Sequence, residues 1–115
     1  MLTADSTEET VSTFKQAVLL AGTTNQEKEA ILNNVGYVYL LANQFDKAEF
    51  VQKLNTELFP NSGNTFDSYA TALEKNHKIG QAVQMQKKAV TIATKNKDEL
   101  LETFKKNLEI LESKN

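Results

Sequence analysis

The sequence predicts an all-α domain of about six antiparallel helices, and three observations support that prediction. The 115 residues include four glycines and one proline, too few for the turns of a many-stranded sheet. Apolar residues recur at spacings of three and four along most of the chain, which is the period of an amphipathic helix. Residues 29–62 also resemble residues 63–96, so the chain contains an internal repeat in which residue 29 aligns with residue 63.

Six apolar stripes set the order of the predicted helices. They run near residues 6–21, 25–42, 45–58, 63–76, 79–94 and 97–113. The stripe of the first helix consists of Val11, Phe14, Ala17, Val18 and Ala21. Because the connections between the stripes are short, we expect neighbouring helices to pack antiparallel within a single domain.

Polar residues indicate where the helices begin. Three pairs have the spacing of an N-cap and the third helical residue: Asp5 with Glu8, Thr24 with Glu27, and Asn96 with Glu99. In such a pair, the first side chain can accept a hydrogen bond from a backbone N–H of the first turn. Short polar turns at residues 43–44, 59–63 and 76–78 separate the remaining helices.

The internal repeat has the features of a known helical family. Aligned positions pair small residues with small ones and large apolar residues with large ones: Gly36 with Ala70, Tyr39 with Leu73, Phe45 with Ile79, Ala48 with Ala82, and Val51 with Met85. A repeat of this length with two helices per copy is typical of tetratricopeptide repeats. The stretch 36–39 resembles the family's Gly-x-x-Tyr pattern, 45–48 resembles the start of its second helix, and Pro60 stands where the family's turn proline ends a repeat.

The resemblance implies a right-handed α-α superhelix of stacked helix pairs. Residues 1–28 would form a leading helix, 29–62 and 63–96 two repeats, and 97–115 a capping helix. The leading helix would act as the second helix of an incomplete repeat, with Phe14 at a position where the family prefers a small residue. The second repeat is a degenerate copy, and the alternative is an ordinary helical bundle whose self-similarity is accidental.

A shorter stretch resembles a different setting for such repeats. Residues 58–69, with Phe-Pro-Asn-Ser followed by Phe-Asp-Ser, are similar to the repeat tail that follows the catalytic domain in some bacterial serine hydrolases of the β-lactamase or esterase kind. This similarity implies that the chain is an appendage or a relative of such an enzyme, without the enzyme itself.

The composition argues against catalytic and metal-binding chemistry. The chain has no cysteine and one histidine, His77, which we expect in a solvated turn. Ser12 and Lys15 match Ser-x-x-Lys by spelling, but the Ser-Asp-Asn and Lys-Thr-Gly elements of such hydrolases do not accompany them. We therefore expect no enzymatic activity, no cofactor and no metal site.

The charge balance and hydropathy restrict the partners further. The net charge is −2 and all 13 basic residues are lysines. One side of the second repeat is basic through Lys75, Lys78, Lys87, Lys88, Lys95 and Lys97. It has no interleaved aromatic residues, so we expect no nucleic-acid binding. No apolar run approaches the ~20 residues of a membrane span, so we expect a soluble domain without a membrane partner; the sequence does not assign a compartment.

Binding of a protein or peptide segment is the function that the family resemblance implies. The first helix of each repeat would line a concave face. The residues carried over to that face are Asn33, Asn34, Tyr37, Leu40 and Leu41 in the first repeat, and Asp67, Ser68, Thr71, Glu74 and Lys75 in the second. Asp67 would repel a carboxylate, so the face does not match the family's carboxylate clamp. The alternatives are that these side chains pack on the leading helix, or that the chain is a structural appendage or a homodimer.

Overall fold

The computed structural model describes residues 24–115, and every regular element in this range is an α-helix. The five helices are α1 (Asn25–Leu41), α2 (Phe45–Leu58), α3 (Gly63–Lys75), α4 (Ile79–Asn96) and α5 (Leu101–Lys114). The all-α prediction is therefore confirmed for the described residues, which contain no strand. The predicted helix at 6–21 lies outside them, as do Ser12 and Lys15.

The helix boundaries follow the sequence prediction at most positions. Thr24 is the N-cap of α1, and its Oγ1 accepts a hydrogen bond from the N–H of Glu27 at 3.1 Å, as the spacing predicted. The predicted cap at Asn96 is wrong, because α4 continues through that residue and its side chain donates to the carbonyl of Asn61 instead. Consequently α5 begins at residue 101 rather than 97, after a turn in which Asp98 accepts a hydrogen bond from the N–H of Leu100.

Three of the helices end in the same backbone motif. Asn43, His77 and Lys97 follow α1, α3 and α4, and they have φ values of 59°, 61° and 53°. At each, this residue donates to the carbonyl three residues earlier and the next residue donates to the carbonyl five residues earlier. This pair of hydrogen bonds is the Schellman motif, which satisfies carbonyls that a helix end leaves free. Asn43 and His77 lie 34 residues apart, so the repeat seen in the sequence is also present in the turns.

Consecutive helices pack on each other, and α1 also contacts α3. The first pair is built around Leu32, Val51 and Leu54, while Ala70, Leu73, Ala82 and Val83 join α3 to α4. Ala48 and Ala82 are fully buried, as expected for alanines at close helix contacts. Phe104 anchors α5 against Ala89 and Ala93 of α4. The result is a layered arrangement in which α3 lies between the first helix pair and the C-terminal helices.

Candidate functional site

An open groove of about 340 Å³ lies between α3 and α5, above the buried side of α4. Its walls and floor are formed by Thr71, Glu74 and Lys75 of α3, Gln86 of α4, and Asn107, Ile110, Leu111 and Lys114 of α5. Leu108 and Leu111 pack against the cluster that contains Ala70 and Leu73, and this apolar contact places α5 beside α3. The polar groups above that contact are therefore carried by three regular helices.

A hydrogen-bond network holds the floor of the groove. Oδ1 of Asp67 accepts from Nε2 of Gln86 at 2.9 Å and from Nδ2 of Asn107 at 3.1 Å. The same Nε2 of Gln86 also donates to the carbonyl of Phe104 at 3.1 Å. Gln86 is 1% exposed, so its amide links α3, α4 and α5 from within the core. Because one carboxylate oxygen receives both amides, the network fixes α5 relative to α3.

The rim of the groove offers mixed chemistry. Nζ of Lys114 pairs with Oε2 of Glu74 across the groove, and both side chains remain partly accessible. Ile110 is 49% exposed and gives the rim an apolar contact, while the neighbouring Lys75 is exposed. Thr71 uses its hydroxyl hydrogen on the carbonyl of Asp67. The groove therefore combines a charged edge, an apolar side chain and a rigid polar floor.

Two residues that the sequence assigned to a concave binding face are buried. Leu40 packs in a cluster with Ala48 and Ala72, and Ser68 is 1% exposed. Oγ of Ser68 donates to Oδ1 of Asn33 at 2.5 Å, which joins α3 directly to α1. The structure thus removes Leu40 and Ser68 from the surface, where they stabilise the contact between helix pairs instead of meeting a ligand.

The remaining residues of the predicted face differ in accessibility. Asn34, Leu41 and Lys75 are exposed, while Asn33, Tyr37, Asp67, Thr71 and Glu74 are half-buried. The ring of Tyr37 packs against the Leu40 cluster, so part of its surface serves the fold. Thr71, Glu74 and Lys75 line the α3–α5 groove, and Asp67 holds its floor. The second-repeat half of the predicted face therefore meets α5, which the sequence treated as a cap.

The groove residues supplied by α4 and α5 were missed at the sequence level. Gln86 carries a recognisable signal, because it repeats Gln52 after 34 residues, and a glutamine kept at one position of both copies indicates a shared packing role. Ile110 interrupts the polar outer side of α5 and gives a second signal. Asn107 gives none, since an asparagine on a polar helix face is unremarkable until its partner is known.

A second polar cluster ties the turn between α3 and α4 to α2. Nδ2 of Asn76 donates to Asp46 at 2.8 Å and to Glu49 at 3.0 Å, and Nζ of Lys78 pairs with Glu49 at 2.9 Å. The hydrogen bond to Glu49 raises the pKa of Lys78 above its usual 10.5. Burial, reinforced by the negative charge of Glu49, likewise raises the pKa of Tyr69 above 10.0. Since these groups satisfy one another, the cluster stabilises the turn.

Three further observations concern the class of site. Within residues 24–115, no group of three or more His, Asp or Glu side chains is arranged to hold a metal ion. His77 lies exposed in its turn. No helix of the described range has the length and apolar content that crossing a bilayer would take. Comparison of the chain with family models, curated proteins and solved structures finds no match.

Proposed function

We propose that this chain is a non-catalytic binding module that holds a protein or peptide segment in the groove between α3 and α5. The observation that carries the proposal is the combination of an open groove of about 340 Å³ with a floor whose polar groups are already paired. Such a floor does not need to rearrange when a ligand arrives, which lowers the ordering cost of binding.

We also propose that the helices stack as tetratricopeptide-type pairs in a right-handed superhelix. Support comes from the helix ends at Asn43 and His77, which repeat one hydrogen-bond motif 34 residues apart. Further support comes from Gln52 and Gln86, which have the same spacing and both reach from the second helix of a pair to the first. In such a stack α5 takes the place of the first helix of a third pair.

The chemistry of the rim favours a peptide over a highly charged ligand. Ile110 offers an apolar contact, and Lys75 and Asn107 offer donors to the carbonyls of an extended segment. The Lys114–Glu74 pair places opposite charges side by side, so the rim has no strong field of one sign. A peptide with one apolar side chain and flanking polar backbone groups fits this arrangement.

A peptide-display selection on the immobilised full chain tests the proposed function. Peptides selected from a random library should bind Ile110→Asp at least about tenfold more weakly than the parent, a loss of about 1.4 kcal/mol. Leu100→Asp is the matched control, because Leu100 is another exposed apolar residue and lies outside the groove. Binding within about twofold of the parent is expected for it.

Two outcomes would contradict the proposal. One is a set of peptides that bind Ile110→Asp as well as they bind the parent. The other is a selection that enriches no peptide while the protein keeps the helical circular-dichroism spectrum of a folded chain.

A further inference from the structure

The outward side of α1 is apolar where a surface helix should be polar. Residues 30–45 contain no charged side chain, and Val38 is 63% exposed. Ala30 and Asn34 lie on the same exposed side, one helical turn apart from each other and from Val38. A helix with apolar residues on both sides is normally covered on both sides. Among the described residues, α2 and α3 cover the inner side alone.

The second helix pair indicates what kind of element should cover this side. Ala72 aligns with Val38 and is 0% exposed, because it packs with Leu40 and Ala48 of the preceding pair. Ser68 aligns with Asn34 and is likewise buried, with its hydroxyl bonded to α1. In α3, therefore, the positions that are bare on α1 are covered by the pair that comes earlier in the chain.

We propose that residues 6–21 form a helix that covers the outer side of α1 through its apolar stripe. The predicted helix ends three residues before Thr24, the N-cap of α1, so a short turn returns it along α1. The tether makes the contact intramolecular and gives it a high effective concentration. A second copy of the chain has no such advantage, and no peptide in the α3–α5 groove is needed for this contact.

The repeat also sets the expected register of the contact. Residue 14 aligns with residue 48, just as Val38 aligns with Ala72. Because Ala48 and Ala72 share one buried cluster, Phe14 should lie against Val38. Both members of this new pair are larger than their alanine counterparts, so the leading helix stands further from α1 than α2 stands from α3. Phe14 fills the wider gap, which explains a large residue at a position where the repeat otherwise has alanine.

Leu41 provides an internal contrast on the same helix. It is 86% exposed, more than Val38, but its counterpart Lys75 is also exposed in the second pair. The leading helix should therefore cover Val38 and leave Leu41 accessible. A second copy of the chain docking on α1 would instead bury both residues, since they are neighbours on the helix surface.

Cysteine cross-linking of the full chain tests the contact, because the sequence contains no native cysteine. The variant with Phe14→Cys and Val38→Cys should react with a short bismaleimide within one molecule and run as a compact monomer. The matched control combines Ser12→Cys with Val38→Cys, which moves the first thiol to the opposite side of the predicted helix. We expect at least about tenfold slower intramolecular cross-linking in this control, because its thiols face apart.

Three outcomes would overturn the proposal. Equal cross-linking of the two variants would mean that the segment has no fixed face on α1. Cross-linked dimers of the single variant Val38→Cys, without the intramolecular product, would assign the face to a second copy. Absence of both products in a folded protein would mean that neither covers α1.

Thermal unfolding provides an independent readout. Val38→Asp should lower the melting temperature by about 5 °C or more if the leading helix covers this position. Leu41→Asp, which adds the same charge at the more exposed site, should lower it by less than about 2 °C. Equal shifts for the two variants would overturn the proposal.

Discussion

The two helix pairs contain a glutamine at the same repeat position and use it differently. In the first pair, Nε2 of Gln52 donates to the backbone carbonyl of Asn33 and the side chain lies over Gly36. In the second pair, Gln86 donates to the side chain of Asp67, the counterpart of Asn33, and to the carbonyl of Phe104. One glutamine therefore lies within a pair, whereas the other reaches out to the next helix.

The residue beneath each glutamine accounts for the difference. A Cβ built on Gly36 would lie 2.2 Å from Nε2 of Gln52, so the amide can lie there because the glycine has none. The aligned residue in the second pair is Ala70, whose methyl group takes up the equivalent space. Gln86 is accordingly displaced towards α5, where Asp67 and Phe104 supply its acceptors. One methyl group thus separates a packing glutamine from one that forms the floor of a groove.

The pairs also differ in how well their buried polar groups are paired. Gln52 and Asn55 are fully buried in the first pair, and Oε1 of Gln52 and Oδ1 of Asn55 have no hydrogen-bond partner. Asn55 aligns with Ala89, so the second pair has an apolar contact where the first has an amide. Unpaired buried acceptors cost about 1–3 kcal/mol each. The first pair is therefore the less stable half of the described structure.

The largest expected effect comes from placing a methyl group under the first glutamine. Gly36→Ala should lower the free energy of unfolding by about 2 kcal/mol, because Gln52 is fully buried and cannot move away. Gly80→Ala is the matched control, since a Cβ on Gly80 meets nothing within 4 Å, and it should raise stability by about 0.5 kcal/mol. Urea unfolding measures both. Equal stability of Gly36→Ala and the parent would contradict the packing account of Gln52.

The second effect concerns the acceptor shared by Gln86 and Asn107. Asp67→Ala should cost about 1.5 kcal/mol, because it removes a charged partner from two amide donors. Asp67→Asn keeps an oxygen in the same place and should cost less than about half of that. A loss of stability that is the same for the two variants would indicate that shape or charge, and not the acceptor, holds α5 in place.

The helix ends should respond in the opposite direction. His77→Gly and Lys97→Gly should each raise the free energy of unfolding by about 0.5–1 kcal/mol, because a side chain is disfavoured at positive φ. Asn43→Gly should change it less, since asparagine tolerates this conformation. If His77→Gly destabilises the protein, the side chain makes a stabilising contact that outweighs its backbone strain.

The smallest expected effect is a loss of stability at alkaline pH. The pKa values of Tyr69 and Lys78 are both raised in the folded state, so both groups hold their protons more tightly there than in the unfolded chain. Their contribution is therefore complete below about pH 10 and is lost as the pH rises through the folded values. Urea unfolding between about pH 9 and pH 11 should show this decline, and Tyr69→Phe should reduce it. An unchanged slope in Tyr69→Phe would contradict the prediction.

Local patterns in the sequence predicted the helices well and the contacts between helices less well. The N-cap at Thr24 and the starts of α2, α3 and α4 follow from spacing and turn residues close by in the chain. The start of α5 did not, because Lys97 ends α4 in a left-handed conformation that its residue type does not indicate. Similarly, the burial of Ser68 and the role of Asn107 depend on partners 35 and 40 residues away, which no local period encodes.

Nuclear Overhauser effects from the assigned side-chain amides of the two glutamines test the central comparison most directly. The Nε2 protons of Gln52 should show cross-peaks to the α-protons of Gly36, because the amide lies over that glycine. Those of Gln86 should show cross-peaks to Asn107, whose amide reaches the same oxygen of Asp67. Cross-peaks from the Gln86 amide to the methyl group of Ala70, with none to α5, would mean that the two glutamines pack alike. That result would contradict the account of the groove floor.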